Sequence, residues 1–185
     1  MLEMPTTETL LNPAQRKPAG FWIRVAAYFI DFLILLIFAV GSLFMKSVGA
    51  YLLLMLPMIA YKPVLEGLLG GTAGKLALGI RVVNPDGRWL GLAGAFVRSG
   101  IFILPVIPNM MLQIKMIEQG ISPMDPEAVQ AFQEGNELLY IAYYGLSILV
   151  VISCLMVAFH KRKRGLHDLV ADSYVVYLDR EPEAE

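Results

Sequence analysis

Phe21–Met45, FWIRVAAYFIDFLILLIFAVGSLFM, decides how this chain is read. It is apolar over roughly 25 residues, more than the ~20 a helix needs to cross the hydrocarbon of a bilayer. Yet it carries Arg24 and Asp31. A charge near the membrane interior costs about 2.5–3.5 kcal/mol on insertion scales, so a carboxylate retained there marks a functional or architectural site. Helical spacing puts Arg24, Tyr28 and Asp31 on one face, with Asp31 about 10 Å along the axis from Arg24. That face should look toward other spans or a wet cavity. The run exceeds the h-region of a secretory signal, and Glu3 and Glu8 precede it, so it reads as an uncleaved span.

The rest of the chain has the same character. Hydrophobic residues make up 57% and charged ones 17%, against about 25% charged in soluble domains, and 185 residues suit one compact domain. Further apolar segments run over 48–66, interrupted by Pro57, over 90–112, with Arg98, Pro105 and Pro108, and over 138–159, with no ionisable charge beyond its thiol and phenols. With 21–45 they predict an all-α membrane protein of four transmembrane helices. The single cysteine, Cys154, excludes a disulfide framework and a thiolate metal site.

Charge placement sets the expected orientation. With four spans, Arg16, Lys17, Arg24, Lys62, Lys75, Arg81, Arg88, Arg98, Lys161, Arg162, Lys163, Arg164 and Arg180 share one side. The other side holds Lys46, Lys115 and the acidic loop 115–137, to which the sequence assigns no role. The positive-inside rule then gives N-in/C-in. A re-entrant third segment would put KRKR (161–164) outside, against that rule. Residues 1–19 and 178–185 read as flexible cytoplasmic tails around a membrane domain at 20–177.

Between spans 2 and 3 the polar loop contains Ile80–Val83, then the turn sequence Asn84-Pro85-Asp86-Gly87, then Trp89. This predicts a short β-hairpin-like loop at the cytoplasmic surface, with Trp89 as interface anchor. The string GGTAGK is not a phosphate loop: the first glycine of that pattern falls on Leu69, and Leu rather than Ser or Thr follows Lys75.

FWIRVAAYFID, EGLLGGTAGKLALGIRVVNPDG, AFVRSGIF and KRKRGLHDLVADSYVV, in that order, resemble the RDD family of multi-pass membrane proteins, from about Gly20 to Val176. The namesake Arg and two Asp match Arg24, Asp31 and Asp168. The family's T-x-G-K-x-x-x-G-x-x-V-V pattern matches Thr72, Gly74, Lys75, Gly79, Val82 and Val83, and its next arginine matches Arg98. The resemblance implies a bacterial cytoplasmic (inner) membrane protein of a family mostly without assigned activity, for some of whose members transport has been suggested.

The predicted topology gathers Arg24, Glu66, Lys75, Arg98 and Asp168 at the cytoplasmic face, with Asp31 deeper, as an ion, proton or structural charge network. Arg98 is the expected direct partner of Asp31, because Arg24 snorkels outward. Lys161, Arg162, Lys163 and Arg164 are expected at anionic lipid headgroups. His160, His167, Asp168 and Asp172 lack the spacing of a metal site. No catalytic constellation, cofactor or nucleic-acid site is expected, and the chain reads as non-enzymatic. Two functions remain open. One is ion- or proton-coupled transport through Asp31 with arginine partners, which four spans would support best as a homo-oligomer. The other is an accessory or assembly protein docking a membrane or cytoplasmic partner through its charged inner face, where buried charge fixes helix register alone.

Overall fold

The computed structural model describes residue 13 and residues 15–178. In these, α1 (Phe21–Ser42), α2 (Val48–Leu69), α3 (Ala73–Ala77), β1 (Ile80–Val83), α4 (Gly91–Ile103), α5 (Val106–Glu118), α6 (Pro126–Glu134), α7 (Glu137–Phe159), α8 (Leu166–Val170) and β2 (Tyr174–Tyr177) follow in order. Of the tails expected at 1–19 and 178–185, residues 1–12, 14 and 179–185 lie outside the described residues.

Three helices, α1, α2 and α7, are long and apolar enough to cross a membrane. The third expected span is not one straight helix: α4 and α5 meet at a 58° bend, and count as a fourth span if the pair is taken together. Pro105 sits in the break and Pro108 in the first turn of α5, where a missing N–H is tolerated and the preceding helix cannot run straight on.

The molecule is built inside out relative to a water-soluble domain. Ile37 is 75% exposed and Leu53 71%, while Glu66, Lys75, Arg98 and Asp168 are each 0% exposed. Apolar side chains face outward from the helices and charged ones inward, as a lipid surround demands. On α1 the buried residues are Arg24, Ala27 and Asp31, one stripe at helical spacing.

The expected hairpin is corrected in its pairing. Its turn forms: Asn84 N–H donates to Arg88 O at 2.9 Å, Asn84 Oδ1 accepts from Arg88 N, and Gly87 takes φ +79°. Beyond the single bridge Val83–Trp89, however, the partner of β1 is β2, antiparallel, with Ile80 opposite Tyr177 and Val83 opposite Tyr174. The stretch just before α1, expected in the N-terminal tail, instead lies along the far side of β2. Ala19 N donates to Val175 O at 2.8 Å, Tyr177 N to Lys17 O at 3.1 Å, and Pro18 bridges Val176. Ala19, Ala27, Ile80, Val82 and Val175 form the small core beneath this sheet.

The loop 115–137 forms α6. Asp125 caps it by accepting from Ala128 N, Pro126 opens it, and Phe132 packs on Leu112 and Met116.

Candidate functional site

Where α1 begins, α2 ends, α4 passes at mid-length and α7 gives way to α8, five charged side chains form one buried chain of contacts. Asp168 stands at its centre. Its Oδ1 accepts from Arg98 Nε at 3.0 Å and Nη2 at 2.6 Å, and its Oδ2 from Arg24 Nη1 at 2.6 Å and Gly165 N at 3.0 Å. Arg98 turns its remaining nitrogen to Glu66 Oε2 at 2.5 Å, and Glu66 Oε1 takes Lys75 Nζ. Arg24 completes its fork on backbone, donating to Ala19 O at 3.0 Å and Lys163 O at 2.5 Å. Lys163 adopts φ 52°, which aims that carbonyl at Arg24. Arginine's planar fork suits it to bridge two carboxylates, whereas lysine offers a point charge.

Local chain geometry delivers each group. Gly70, in the left-handed region at φ +71°, ends α2 just past Glu66 and turns the chain back, while its carbonyl accepts from Val82 N. Thr72 then starts α3, which presents Lys75 to Glu66. Gly165 precedes α8, and a Cβ there would lie 2.4 Å from Ser153 O, so only glycine lets α8 settle on α7. Asp168 occupies the third position of α8 and reaches back to Gly165 N, a cap that also aims its other oxygen at Arg98.

Electrostatics outside the spans follow from this packing. Burial alone would raise the Asp168 carboxyl, but Arg24 and Arg98 outweigh it and hold the group well below the usual carboxylate range. Burial pushes the Lys75 ammonium down to about 8 despite the opposing pull of Glu66. His167 is driven down to about 2 by burial, more than Asp168 raises it. Its ring is therefore neutral. Ser153 Oγ accepts from His167 N at 3.1 Å and lies 2.8 Å from His167 Nδ1.

Asp31 stands apart from this chain. The pair expected between Asp31 and Arg98 does not form, because both oxygens of Asp31 are taken by neutral donors and Arg98 is committed to Glu66 and Asp168. Tyr61 Oη donates to Oδ1 at 2.8 Å, Gly74 N to Oδ1 at 2.8 Å and Thr72 Oγ1 to Oδ2 at 2.6 Å. Tyr61 Oη in turn accepts from Ala73 N at 3.2 Å. Gly74 is required here: a Cβ would lie 2.1 Å from Ala27 O, so α3 approaches α1 backbone to backbone. Asp31 is the socket into which the start of α3 plugs.

The basic block is divided. Lys161 and Arg162 are exposed, as headgroup contacts require. Arg164 is not: it is 8% exposed, pairs with Asp172 at 2.7 Å, donates to Asp168 O at 3.1 Å and lies 4.3 Å from the Tyr174 ring centre. Lys163 turns inward to Ala158 O at 3.1 Å. Both hold the turn between α7 and α8. Among the described residues, no group of three His, Cys, Asp or Glu side chains is placed to bind a metal.

Sequence reasoning brought Arg24, Glu66, Lys75, Arg98 and Asp168 to one end of the molecule, where they meet. It missed Tyr61, Thr72 and Gly74 as the partners of Asp31, and Ser153 as that of His167. Thr72 and Gly74 stood in the T-x-G-K pattern already noted. Hydroxyls and a glycine N–H beside an intramembrane carboxylate are the signal that an arginine-centred search passes over.

The profile of the RDD family matches residues 18–172. Two proteins of Bacillus subtilis (strain 168) are similar along most of their length. "Uncharacterized protein YxaI" is 29% identical, covering 87% of this chain and 98% of its own. "Uncharacterized protein YckC" is 28% identical, covering 87% and 85%. No solved structure matches. With its namesake residues Arg24 and Asp168 joined in one buried knot and Asp31 holding the adjoining loop, this chain belongs to the RDD family.

Proposed function

We propose that this is a non-enzymatic, four-span protein of the bacterial cytoplasmic membrane, with both termini in the cytoplasm, acting as an accessory or assembly protein. Its charged inner face would dock a second copy of itself or another membrane protein. The observation that carries this reading is the completeness of pairing around the namesake residues. Every oxygen of Glu66, Asp168 and Asp31 already accepts from the protein itself. Groups held in this way fix architecture, tying α1, α2, α3, α4 and α8 into one rigid plate, and leave no carboxylate free to exchange a cation. The proposed topology draws support from the same contacts. α4 leads away from, and α7 ends at, the end of the molecule where Arg98 meets Asp168, which supports reading α4 and α5 together as one span. Exposed Lys161 and Arg162 lie at that end, in keeping with the positive-inside rule.

A second reading, ion- or proton-coupled transport, is favoured by one feature: Asp31 also lines a cavity of about 570 Å3 among α1, α2, α4 and α7. Reconstitution in liposomes with pH- and cation-sensitive dyes separates the two. The accessory reading expects no flux above protein-free vesicles. Flux in the wild type that is lost in a folded Asp31→Asn variant overturns it in favour of transport.

A further inference from the structure

The cavity beside Asp31 contains two donors without acceptors. Lys62 Nζ and Tyr28 Oη are both shielded from solvent and have no hydrogen-bond partner among the described residues, and both residues line this same cavity. Lys62 Nζ rests over the Phe102 ring, 3.0 Å from its centre, and lies 5.4 Å from the centre of the Tyr28 ring. Every other wall is apolar or already paired: Leu35, Val150 and Leu155 contribute hydrocarbon, and the oxygens of Asp31 are occupied. Lys62 Nζ has no ion-pair partner among the described residues. Glu66, one turn along α2, cannot serve it, since Lys75 and Arg98 hold both of its oxygens.

We propose that this cavity is a binding site for a single-chain anionic amphiphile, a fatty carboxylate, whose head accepts from Lys62 Nζ and Tyr28 Oη and whose chain lies along the apolar walls of α1 and α7. A site made of surplus donors selects a ligand whose head only accepts, and a carboxylate is such a head. A volume of about 570 Å3 falls within the range of small-ligand sites, roughly 300–1,000 Å3. The apolar lining excludes a small hydrated anion, which would lose its water there without compensation. The face of the Phe102 ring backs Lys62 Nζ beside the cavity. This inference is independent of the docking role proposed above.

The full-length protein in phosphatidylcholine nanodiscs allows a direct test, using stearate spin-labelled near its methyl end and the methyl ester of the same probe. Wild type should immobilise the carboxylate at least about tenfold more tightly than the ester, the preference expected of one charge-assisted hydrogen bond. Lys62→Met should abolish that preference while leaving weak, equal binding of both probes, and Lys62→Arg should restore most of it. Tyr28→Phe should weaken carboxylate binding by a few-fold. Thermal unfolding of each variant in the same nanodiscs shows whether it is folded, and the ester serves as an internal control for an intact cavity. Equal retention of carboxylate and ester by wild type, or an undiminished preference in folded Lys62→Met, overturns the proposal. Displacement of the probe by phosphatidylglycerol as readily as by unlabelled stearate would overturn the single-chain assignment, in favour of a membrane phospholipid.

Discussion

Two buried carboxylate centres lie close together and are satisfied in opposite ways. Asp168 and Glu66 are neutralised by formal charge: two arginines and a lysine in a continuous chain. Asp31 is met by a phenol, a threonine hydroxyl and a backbone N–H, and forms no ion pair among the described residues. Removing one member of the first centre strands a desolvated charge. Loss of one donor from the second leaves the others in place. Charge-paired networks are therefore brittle, and neutral-donor sockets degrade step by step.

The sharpest break in this comparison is Arg98→Gln, which leaves Glu66 and Asp168 short of a shared cation. The loss should be about 3–5 kcal/mol, read as a collapse of the thermal midpoint or of membrane-inserted protein level. Combining it with Glu66→Gln should recover part of the loss. Combining it with Asp31→Asn should be additive, because those two residues belong to different centres. Recovery by Asp31→Asn would mean that the centres are one.

Next in size is Gly74→Ala. Its Cβ would meet Ala27 O at 2.1 Å, so α3 must back away from α1 and draw both Gly74 N and Thr72 Oγ1 off Asp31. Overpacking of this kind costs about 1–3 kcal/mol. A wild-type midpoint in the alanine variant would show that the contact is not held in the folded protein. Thr72→Val sharpens the same socket at lower amplitude. Asp31 keeps Tyr61 and Gly74, so the change should be about 1 kcal/mol, measured in the same unfolding assay.

The smallest effect is a pH dependence carried by His167. Its folded pKa of about 2 lies below the ordinary 6.5, so the unfolded chain takes up the proton first. The stability it contributes is complete above pH 6.5 and is lost as pH falls toward 2, about 1 kcal/mol of it by pH 5.5. Midpoints compared at pH 7.5 and 5.5 should fall in wild type. The fall should be smaller in His167→Gln, which can still bond Ser153 but does not titrate. An unchanged slope would place the titration elsewhere.

Much of this protein could be read from periodicity and composition. Apolar runs of membrane length set the long helices, because the hydrocarbon penalises any unpaired backbone. Charges breaking those runs at Arg24, Asp31, Glu66 and Arg98 had to turn inward for the same reason. The Asn84–Gly87 turn was also legible, since turn chemistry is local. Which buried group meets which was not. Arg98 reaches Asp168 across 70 residues of sequence and Glu66 across 32. Only the close approaches at Gly74 and Gly165 bring α3 and α8 near enough to settle those pairings. Nor could the partner of β1 be found locally. A nearby turn predicts a hairpin, whereas a strand segment arriving after the last long helix pairs along the full length of β1. Long-range partners depend on how helices pack, and a linear pattern of polar and apolar residues records which face is buried but not what it is buried against.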